Sequence, residues 1–345
     1  LKKGFSRLTD LFTRLTEILK DGMDGEVSIG ITSNQAEEWY PLFGSLLSRA
    51  QGNWELWTAF TTEDPEDNPP MARWLTLAES GSLFDIEVNA SPILAAEMLR
   101  RNLWNVAYGA LVTSATLTAL GTFDRFRMRA GLPKKAVTAV VPSPFHHADA
   151  GVLRVPDLKA DPRDATAHTA AIIRELPGLV EGSKGTLVLF SSRKQMQDVF
   201  DGLERDWRKQ VFIQGNLSKQ ETLNKHKARV DGGDSSVLFG LASFAEGVDL
   251  PGAYCEHVVI AKIPFSVPDD PVEAALAEWI EARGGNPFME ISVPDASLKL
   301  VQACGRLLRT EQDRGTITLL DRRLVTQRYG KAILNALPPF RREIS

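Results

Sequence analysis

The chain has 345 residues, more than one compact core usually holds, so its length predicts two domains or one domain with an appendage. It is 43% hydrophobic and 24% charged, as in ordinary globular proteins, and no apolar run approaches the roughly 18 residues of a membrane span. A net charge of −4 gives no general affinity for nucleic acid, so any such surface is local. Its two cysteines exclude a disulfide framework or a four-thiolate metal site and indicate free thiols in a reducing cytosol.

The first 71 residues have a mainly helical pattern. Leucines and phenylalanines from Leu1 to Leu19 recur at helical spacing, and a second helical pattern covers about residues 34–49. The acidic, proline-rich stretch Glu63–Pro70 then predicts an exposed loop or linker. We therefore expect an N-terminal helical segment followed by a break.

Further along the chain the pattern changes to strands and helices. Short extended runs at residues 74–77 and 84–88, a helix from about Ala95 and an apolar run at 110–112 come first. From about Phe123, continuous apolar runs separated by helical patterns predict a parallel sheet that is buried on both faces. Ligands bind such sheets outside the carboxyl ends of the strands, so the residues after each run form the candidate site. The predicted strands are residues 137–141, 186–190, 211–213, 236–239, 257–260 and 316–320.

The segment Gln302–Arg309 carries two arginines and a glycine. If this segment is a helix, its spacing places Gln302, Arg306 and Arg309 on one face. Guanidinium groups bind phosphate oxygens in a bidentate manner, and Gly305 lets a polyphosphate approach the backbone closely. On these residues alone, an arginine finger and a solvated basic helix face both remain open.

Four segments, taken in chain order, resemble the C-terminal motifs of superfamily 2 helicases. The glutamate–glycine–valine–aspartate form of the third segment is similar to the XPD/DinG branch and its bacterial members, as are Ile263–Phe265 and Asp269–Pro271 downstream. The resemblance covers about residue 110 to the C-terminus. The matching segments are Thr113–Leu117 for motif III, Leu187–Arg193 for motif IV, Gly240–Gly252 for motif V and Gln302–Arg309 for motif VI.

The resemblance implies a fold and a domain organisation. The expected fold class is α/β, with a RecA-like parallel sheet flanked by helices as helicase motor domain 2, plus the N-terminal mainly helical segment. Residues 1–71 would be part of an arch-like insertion. Residues 72–121 would be the last strands of the first RecA-like motor domain, including motif III, and residues 122–345 the second RecA-like motor domain.

The resemblance also assigns roles to individual residues. Arg306 and Arg309 would neutralise charge on the γ-phosphate in the transition state, and Gln302 would place the attacking water or the nucleotide. For the hydroxyls and carboxylates among the coupling residues, helix or turn capping is the alternative. Nucleotide binding and coupling would involve Ser114, Thr116, Glu246, Gly247, Asp249 and Gly305. The DNA contacts would be Ser191, Ser192, Arg193, Gln214, Ser243, Lys262 and Pro264. No metal site is expected, since the spacing of the five histidines fits no ligand set.

Three family features have no counterpart in this sequence: the phosphate loop, the Asp-Glu-x-His box and the four-cysteine 4Fe–4S cluster. In the family all three precede motif III, and the chain begins with Leu1. We therefore expect the C-terminal portion of an ATP-dependent, 5′-to-3′ DNA helicase of the bacterial cytoplasm. ATP and Mg²⁺ would be held mostly by the missing N-terminal motor domain of the same protein, so this chain alone should not hydrolyse ATP. Its other partners would be single-stranded and forked or structured DNA; it would be a monomer without a membrane partner.

Two other functions remain open at the level of sequence. One is a non-catalytic RecA-like module that binds single strands or partner proteins, although such a module has no need of Gln302, Gly305, Arg306 and Arg309. The other is a nuclease, which would need a carboxylate cluster suited to metal, whereas Glu63–Asp67 has the composition of a linker.

Overall fold

A computed structural model describes residues 1–25, 30–64, 68–80, 83–241, 244, 247–266 and 269–345. Ser243 and Glu246, which the sequence predicts to contact DNA and nucleotide, lie outside the described residues, as do residues 65–67 of the predicted linker. The chain forms two compact units. The first comprises Leu1–Leu94 and Pro268–Arg283, and the second comprises Ala95–Val267 and Gly284–Ser345.

The helices and strands of the described residues are as follows in chain order. The helices are α1 (Lys2–Asp24), α2 (Ser33–Thr61), α3 (Ala96–Leu99), α4 (Asp124–Ala130), α5 (His147–Ala150), α6 (Ala165–Leu179), α7 (Arg193–Gly202), α8 (Arg205–Arg208), α9 (Lys219–Asp231), α10 (Pro271–Ala282), α11 (Val293–Cys304), α12 (Arg323–Thr326) and α13 (Arg328–Ala336). The strands are β1 (Met71–Ser80), β2 (Leu83–Pro92), β3 (Gly151–Val155), β4 (Gly185–Phe190), β5 (Val211–Ile213), β6 (Ser236–Leu241), β7 (His257–Ile260), β8 (Gly315–Leu319) and β9 (Arg341–Ile344). A 3₁₀ helix covers Gly252–Cys255, and π-helical turns cover Arg100–Trp104 and Phe288–Ser292.

The first unit contains the long helices α1 and α2, which pack against each other with the Phe12 and Phe43 rings 6.3 Å apart. Thr32 and Gln35 form a capping box at the start of α2, which satisfies two backbone groups of its first turn. β1 and β2 form an antiparallel ribbon, and α10 packs against β1. The N-terminal mainly helical segment is therefore confirmed. The extended runs at residues 74–77 and 84–88 are strands, but strands of this ribbon.

The second unit is built on a seven-stranded parallel sheet with the strand order β5-β6-β4-β7-β8-β3-β9. Every neighbouring pair in it is parallel. Helices cover both of its faces, so the predicted fold class, a parallel α/β sheet flanked by helices, is confirmed. No helix among the described residues is long and apolar enough to cross a bilayer.

Strand β4 shows why these apolar runs are continuous. Leu187 and Leu189 point into one core cluster, which includes residues of α11 and α13, while Val188 and Phe190 point into another, which includes residues of α6 and α7. Successive side chains of a strand point to opposite faces, so a strand covered on both sides has no position that faces solvent. Each of these side chains is at most 3% exposed, and burying one contributes about 1.5–3 kcal/mol.

Two apolar runs do not form strands. Residues 137–141 are irregular in the structure, and Val137 is 95% exposed. Residues 110–112 are likewise outside any strand, and Leu111 is 91% exposed. The expected strand at 137–141 is therefore wrong for this chain. A strand needs a neighbour to complete its backbone hydrogen bonds, and no described strand pairs with either run.

Candidate functional site

The carboxyl ends of the sheet strands lie along one edge of the second unit, since all of these strands are parallel. Ser191, Ser192 and Arg193 follow β4, Gln214 follows β5, and Lys262 and Pro264 follow β7. The predicted DNA contacts that the structure describes therefore occupy the same edge of one sheet. This is the edge where ligands bind parallel sheets of this kind.

Ser192 begins helix α7. Its side-chain oxygen accepts a hydrogen bond from the backbone N–H of Gln195 at 3.4 Å, so it caps the helix. Ser191 and Arg193 beside it are exposed. The remaining backbone N–H groups of the first turn and the positive end of the helix dipole together favour an anion at this point. Capping by the Ser192 side chain leaves the neighbouring donors available to a phosphate.

Gln214 is hydrogen-bonded within the sheet, and Pro264 is buried. The Gln214 side-chain oxygen accepts a hydrogen bond from the Leu241 backbone at 2.8 Å, and its own backbone N–H donates to Phe239 at 2.8 Å. Gln214 therefore joins the end of β5 to the end of β6. Pro264 is buried beneath the edge. Their contact with DNA stays a prediction.

Lys262 lies half-buried at this edge, where burial and then the charge of Arg323 lower the pKa of its ammonium group. Asp321, which is 1% exposed, accepts hydrogen bonds from the Ile263 backbone at 2.9 Å and from the Arg323 guanidinium at 2.6 Å. The buried carboxylate fixes the loop that carries Lys262. Asp321 is not among the site residues predicted from the sequence, although its position shortly after the apolar run at 316–320 is a signal that could have identified it.

Gln302 and Thr116 bring together the segments that resemble motifs VI and III. The side-chain amide of Gln302 donates a 3.2 Å hydrogen bond to the Thr116 hydroxyl. The Thr116 backbone N–H in turn donates to the Ser114 hydroxyl at 3.3 Å. Three of the predicted site residues are therefore linked; Ser114 and Gln302 are exposed, and Thr116 is half-buried.

The helix that carries Gln302 ends earlier than predicted. α11 stops at Cys304, so Arg306 and Arg309 belong to the following loop and not to one helical face. Leu307 and Leu308 are 1% and 6% exposed and lie in the core below β7 and β8. After Cys304 the chain continues in turns, in which the Arg306 and Leu307 backbone N–H groups donate to Ala303 at 3.1 Å and Cys304 at 3.2 Å, so the helical spacing does not continue there.

Arg306 and Arg309 nevertheless converge in space. Arg306 Nη1 donates to the backbone oxygen of Val248 at 3.1 Å, and Arg309 Nη2 donates to the same oxygen at 2.8 Å. Arg309 Nε also lies 3.5 Å from a carboxylate oxygen of Asp249, which is largely exposed. Two cations thus share one neutral acceptor within the segment that resembles motif V. Such a pair favours an anion in its neighbourhood.

Two glycines of the site differ in what the backbone requires. Gly247 has φ = +68°, a left-handed conformation that favours glycine. Gly305 has φ = −66°, and a Cβ added there would meet the Val301 carbonyl oxygen at 3.4 Å. The fold itself therefore accepts a side chain at 305. The close approach of a polyphosphate to Gly305 stays a prediction.

The cysteines do not suit an iron–sulfur cluster. Cys255 and Cys304 are at most 1% exposed, and burial raises the pKa of each thiol to about 12. Cluster ligands are thiolates, and a 4Fe–4S cluster takes four of them. Among the described residues, no group of three His, Cys, Asp or Glu side chains could hold a metal ion.

Comparison with known proteins shows the following similarities. Residues 178–340 match the family described as helicase C-terminal domain. The chain is 39% identical to the ATP-dependent DNA helicase DinG of Photobacterium profundum over 99% of this chain and 49% of that protein. It is 36% identical to DinG of Escherichia coli K12 over 79% of this chain and 38% of that protein. The chain also matches a solved structure of S. tokodaii Xpd4 with 14% identity and a TM-score of 0.44, and the match covers 98% of this chain and 74% of the Xpd4 chain. The chain spans about half the length, or less, of the curated relatives that it matches.

Proposed function

We propose that this chain, which belongs to the XPD/DinG-type helicases, is the part of an ATP-dependent DNA helicase that supplies arginines to ATP held by another motor domain. The N-terminal motor domain of the same protein would hold the ATP. The observation that carries this proposal is the convergence of Arg306 and Arg309 on the backbone oxygen of Val248. A non-catalytic module has no use for such a pair, so that alternative is not favoured.

The chemistry of the pair suits phosphoryl transfer. Negative charge on the γ-phosphoryl oxygens needs stabilisation during transfer, and a guanidinium supplies it through charge-assisted hydrogen bonds. Such bonds are about twice as strong as those to a neutral carbonyl. Arg306 and Arg309 would therefore exchange the Val248 oxygen for phosphate oxygens when ATP arrives. Gln302 would lie beside the nucleotide.

The same exchange links the nucleotide to the DNA edge. Val248 and Asp249 belong to the segment that follows β6. The carboxyl end of strand β6 lies among the predicted DNA contacts. Loss of the two arginine contacts would free this segment to move, and Gly247 gives its backbone a left-handed turn. We infer that Asp249 and Gly247 transmit the ATP state in this way. Ser114 and Thr116 would do so through Gln302.

DNA would lie along the carboxyl edge as a single strand. The backbone N–H groups at the start of α7 and the side chains of Ser191, Ser192 and Arg193 offer donors to phosphate oxygens. Such contacts carry no base information, which suits a motor that moves along any sequence. By family, movement would be 5′-to-3′ on forked or structured DNA, by a monomer. The bacterial relatives support the bacterial cytoplasm as the compartment.

The expected cofactors would be bound mostly outside this chain. Mg²⁺ and most contacts to the ATP phosphates would come from the N-terminal motor domain, where Mg²⁺ neutralises phosphate charge. A 4Fe–4S cluster, where the intact protein has one, would not use the buried thiols of Cys255 and Cys304. No step of the proposed reaction uses a cluster.

Single-strand-stimulated ATP hydrolysis by the intact protein tests the proposal. Arg306→Ala and Arg309→Ala should each lower kcat by about 10³–10⁵ while nucleotide binding persists. Arg342→Ala is a matched control, since its guanidinium also donates to a main-chain oxygen at 2.8 Å but lies by the edge strand β9. Near-normal turnover in either Arg306→Ala or Arg309→Ala would refute the assignment. So would robust hydrolysis by this chain alone.

A further inference from the structure

We infer that Asp313 is a positioning residue that fixes the backbone of Arg309 against the segment after β6, so that the guanidinium reaches the γ-phosphate in one place. The inference rests on the proposed function of Arg309. It concerns a residue outside the segments that resemble helicase motifs, and Asp313 has no contact with the nucleotide in this scheme.

The Asp313 carboxylate accepts four hydrogen bonds from two parts of the chain. Oδ2 accepts from the backbone N–H groups of Arg309 at 2.7 Å and Thr310 at 2.9 Å. Oδ1 accepts from the Thr310 hydroxyl at 2.7 Å and from the backbone N–H of Gly252 at 3.1 Å. One side chain therefore ties the backbone at Arg309 to the backbone at Gly252.

The Gly252 end of this link is itself held in place. Gly252 begins the 3₁₀ helix that leads into β7, and the Glu256 backbone at the end of that helix donates to the Gly185 oxygen at 2.9 Å. Gly185 is the first residue of β4, in the middle of the sheet. Asp313 thus connects the root of the Arg309 side chain to the rigid sheet, while the guanidinium at the other end lies on Val248.

The carboxylate suits this task electrostatically. It is 6% exposed, and burial by itself would raise its pKa, but the hydrogen bonds from Thr310, Arg309 and Gly252 together lower the pKa below its usual value. Asp313 is therefore ionised at neutral pH and acts only as an acceptor, so all four donors find a partner. A neutral amide of the same size cannot do this.

The arrangement holds the backbone of Arg309 in place while its guanidinium group can move. Arg309 can exchange the Val248 oxygen for a phosphate by rotating its side chain, while its main chain stays bound to Asp313. A catalytic group that is misplaced by about 1 Å can lose about 100-fold in rate. The chemistry therefore depends on an anchor that the nucleotide never touches.

The test is Asp313→Asn in the intact protein. The amide nitrogen would face at least one backbone N–H whichever way the side chain turns, so at least one of the four hydrogen bonds is lost and replaced by two opposed donors. We expect kcat for DNA-stimulated ATP hydrolysis to fall about 100-fold, while KM for ATP changes less than about threefold. Thermal unfolding of the same sample reports the folded fraction. A merely structural role would lower the amount of active protein and leave kcat per folded molecule unchanged.

Two further variants keep the test decisive. Thr310→Val removes only the hydroxyl donor from an exposed residue, so it should fold even where Asp313→Asn does not, and should lower kcat by roughly tenfold. In an Arg309→Lys background, Asp313→Asn should add less than about threefold, because both changes act through one group. Full additivity of the two losses would show that Asp313 does not act through Arg309.

The outcomes separate this inference from the proposed function. Normal kcat in folded Asp313→Asn and Thr310→Val, beside an inactive Arg309→Ala, would overturn the role of Asp313 alone. If Arg309→Ala retains near-normal turnover, or if the intact protein does not hydrolyse ATP, the proposed function fails and the role of Asp313 fails with it.

Discussion

The side-chain amide of Gln302 donates a 3.2 Å hydrogen bond to the hydroxyl of Thr116, which joins two segments 186 residues apart in the chain. Gln302 is exposed and Thr116 is half-buried, and the bond between them is open to solvent, so water competes for the same groups and the net contribution of the bond is about 1 kcal/mol or less. A bond this weak contributes little to folding. Its location between the segments that resemble motifs III and VI suits a contact that transmits the nucleotide state.

Thr116→Val in the intact protein should therefore affect turnover more than stability. Loss of a hydrogen bond worth about 1 kcal/mol corresponds to roughly fivefold in kcat for DNA-stimulated ATP hydrolysis. The free energy of unfolding should change by no more than about 1 kcal/mol, a small part of the total stability. Thr116→Ser retains the hydroxyl and is the matched control. Equal turnover of the valine and serine variants would remove Thr116 from the coupling path.

The centre of the sheet could be predicted from the sequence, while its flank could not. Strands β4 and β7 are mostly apolar and buried throughout because both of their faces are covered. Strand β3 contains Arg154, and β9 is a charged, exposed edge strand, so neither has the apolar run that marks a buried strand. The run at 137–141 has that composition but no described neighbour to pair with.

The site itself could be predicted at the level of residue type and only partly in geometry. The clustering of polar residues at the strand ends follows from parallel topology alone. The shared contact of Arg306 and Arg309 with Val248 depends on the chain leaving the helix after Cys304 by turns that bury both Leu307 and Leu308. Such burial is a tertiary effect that helical spacing does not contain.

Alanine should destabilise the protein less at Gly305 than at Gly247. Gly305→Ala should change the free energy of unfolding by less than about 1 kcal/mol, because its φ of −66° suits any residue. Gly247→Ala should cost about 1–2 kcal/mol, because its φ of +68° strains an L side chain. Urea unfolding of both variants measures this difference. A larger loss of stability at 305 than at 247 would contradict the conformational argument.

The same pair distinguishes fold from function. In the intact protein, Gly305→Ala should raise KM for ATP or lower kcat although the fold is intact, since the added methyl group occupies the space that a polyphosphate would need. Unchanged ATP kinetics in a stable Gly305→Ala protein would show that the nucleotide does not approach the backbone there.

The cysteines should be unreactive in the folded protein. Cys255 and Cys304 are buried, and a pKa of about 12 leaves almost no thiolate at neutral pH. We expect an aromatic disulfide reagent to modify neither thiol over minutes in buffer and both at once in concentrated guanidinium chloride. Cys304→Ala identifies which thiol reacts. Rapid reaction of either cysteine in buffer would mean that the core around β7 and α11 opens readily.

The buried histidines predict a loss of stability in mild acid. His257 is 2% exposed, its Nε2 lies 2.8 Å from the Thr318 hydroxyl, and burial, with a smaller effect of Arg154, lowers its pKa to about 4. Burial also lowers the pKa of His168 and of His226. The unfolded chain therefore takes up protons on these side chains at a higher pH than the folded chain does.

The sign and the pH window follow from that difference. The stabilisation from a neutral His257 is fully present above pH 6.5 and is lost as the pH falls toward 4, by roughly 3 kcal/mol at most. Asp157 and Asp161, whose ion-pairing arginine and lysine neighbours hold the pKa of each near 2, lose their contribution only in stronger acid.

Urea unfolding between pH 7 and 4 isolates the histidine effect. His257→Gln should flatten the decline, whereas the exposed control His146→Gln should not. An equally steep decline in His257→Gln would place the acid sensitivity in His168, His226 or another group, because glutamine has no proton to gain in this range.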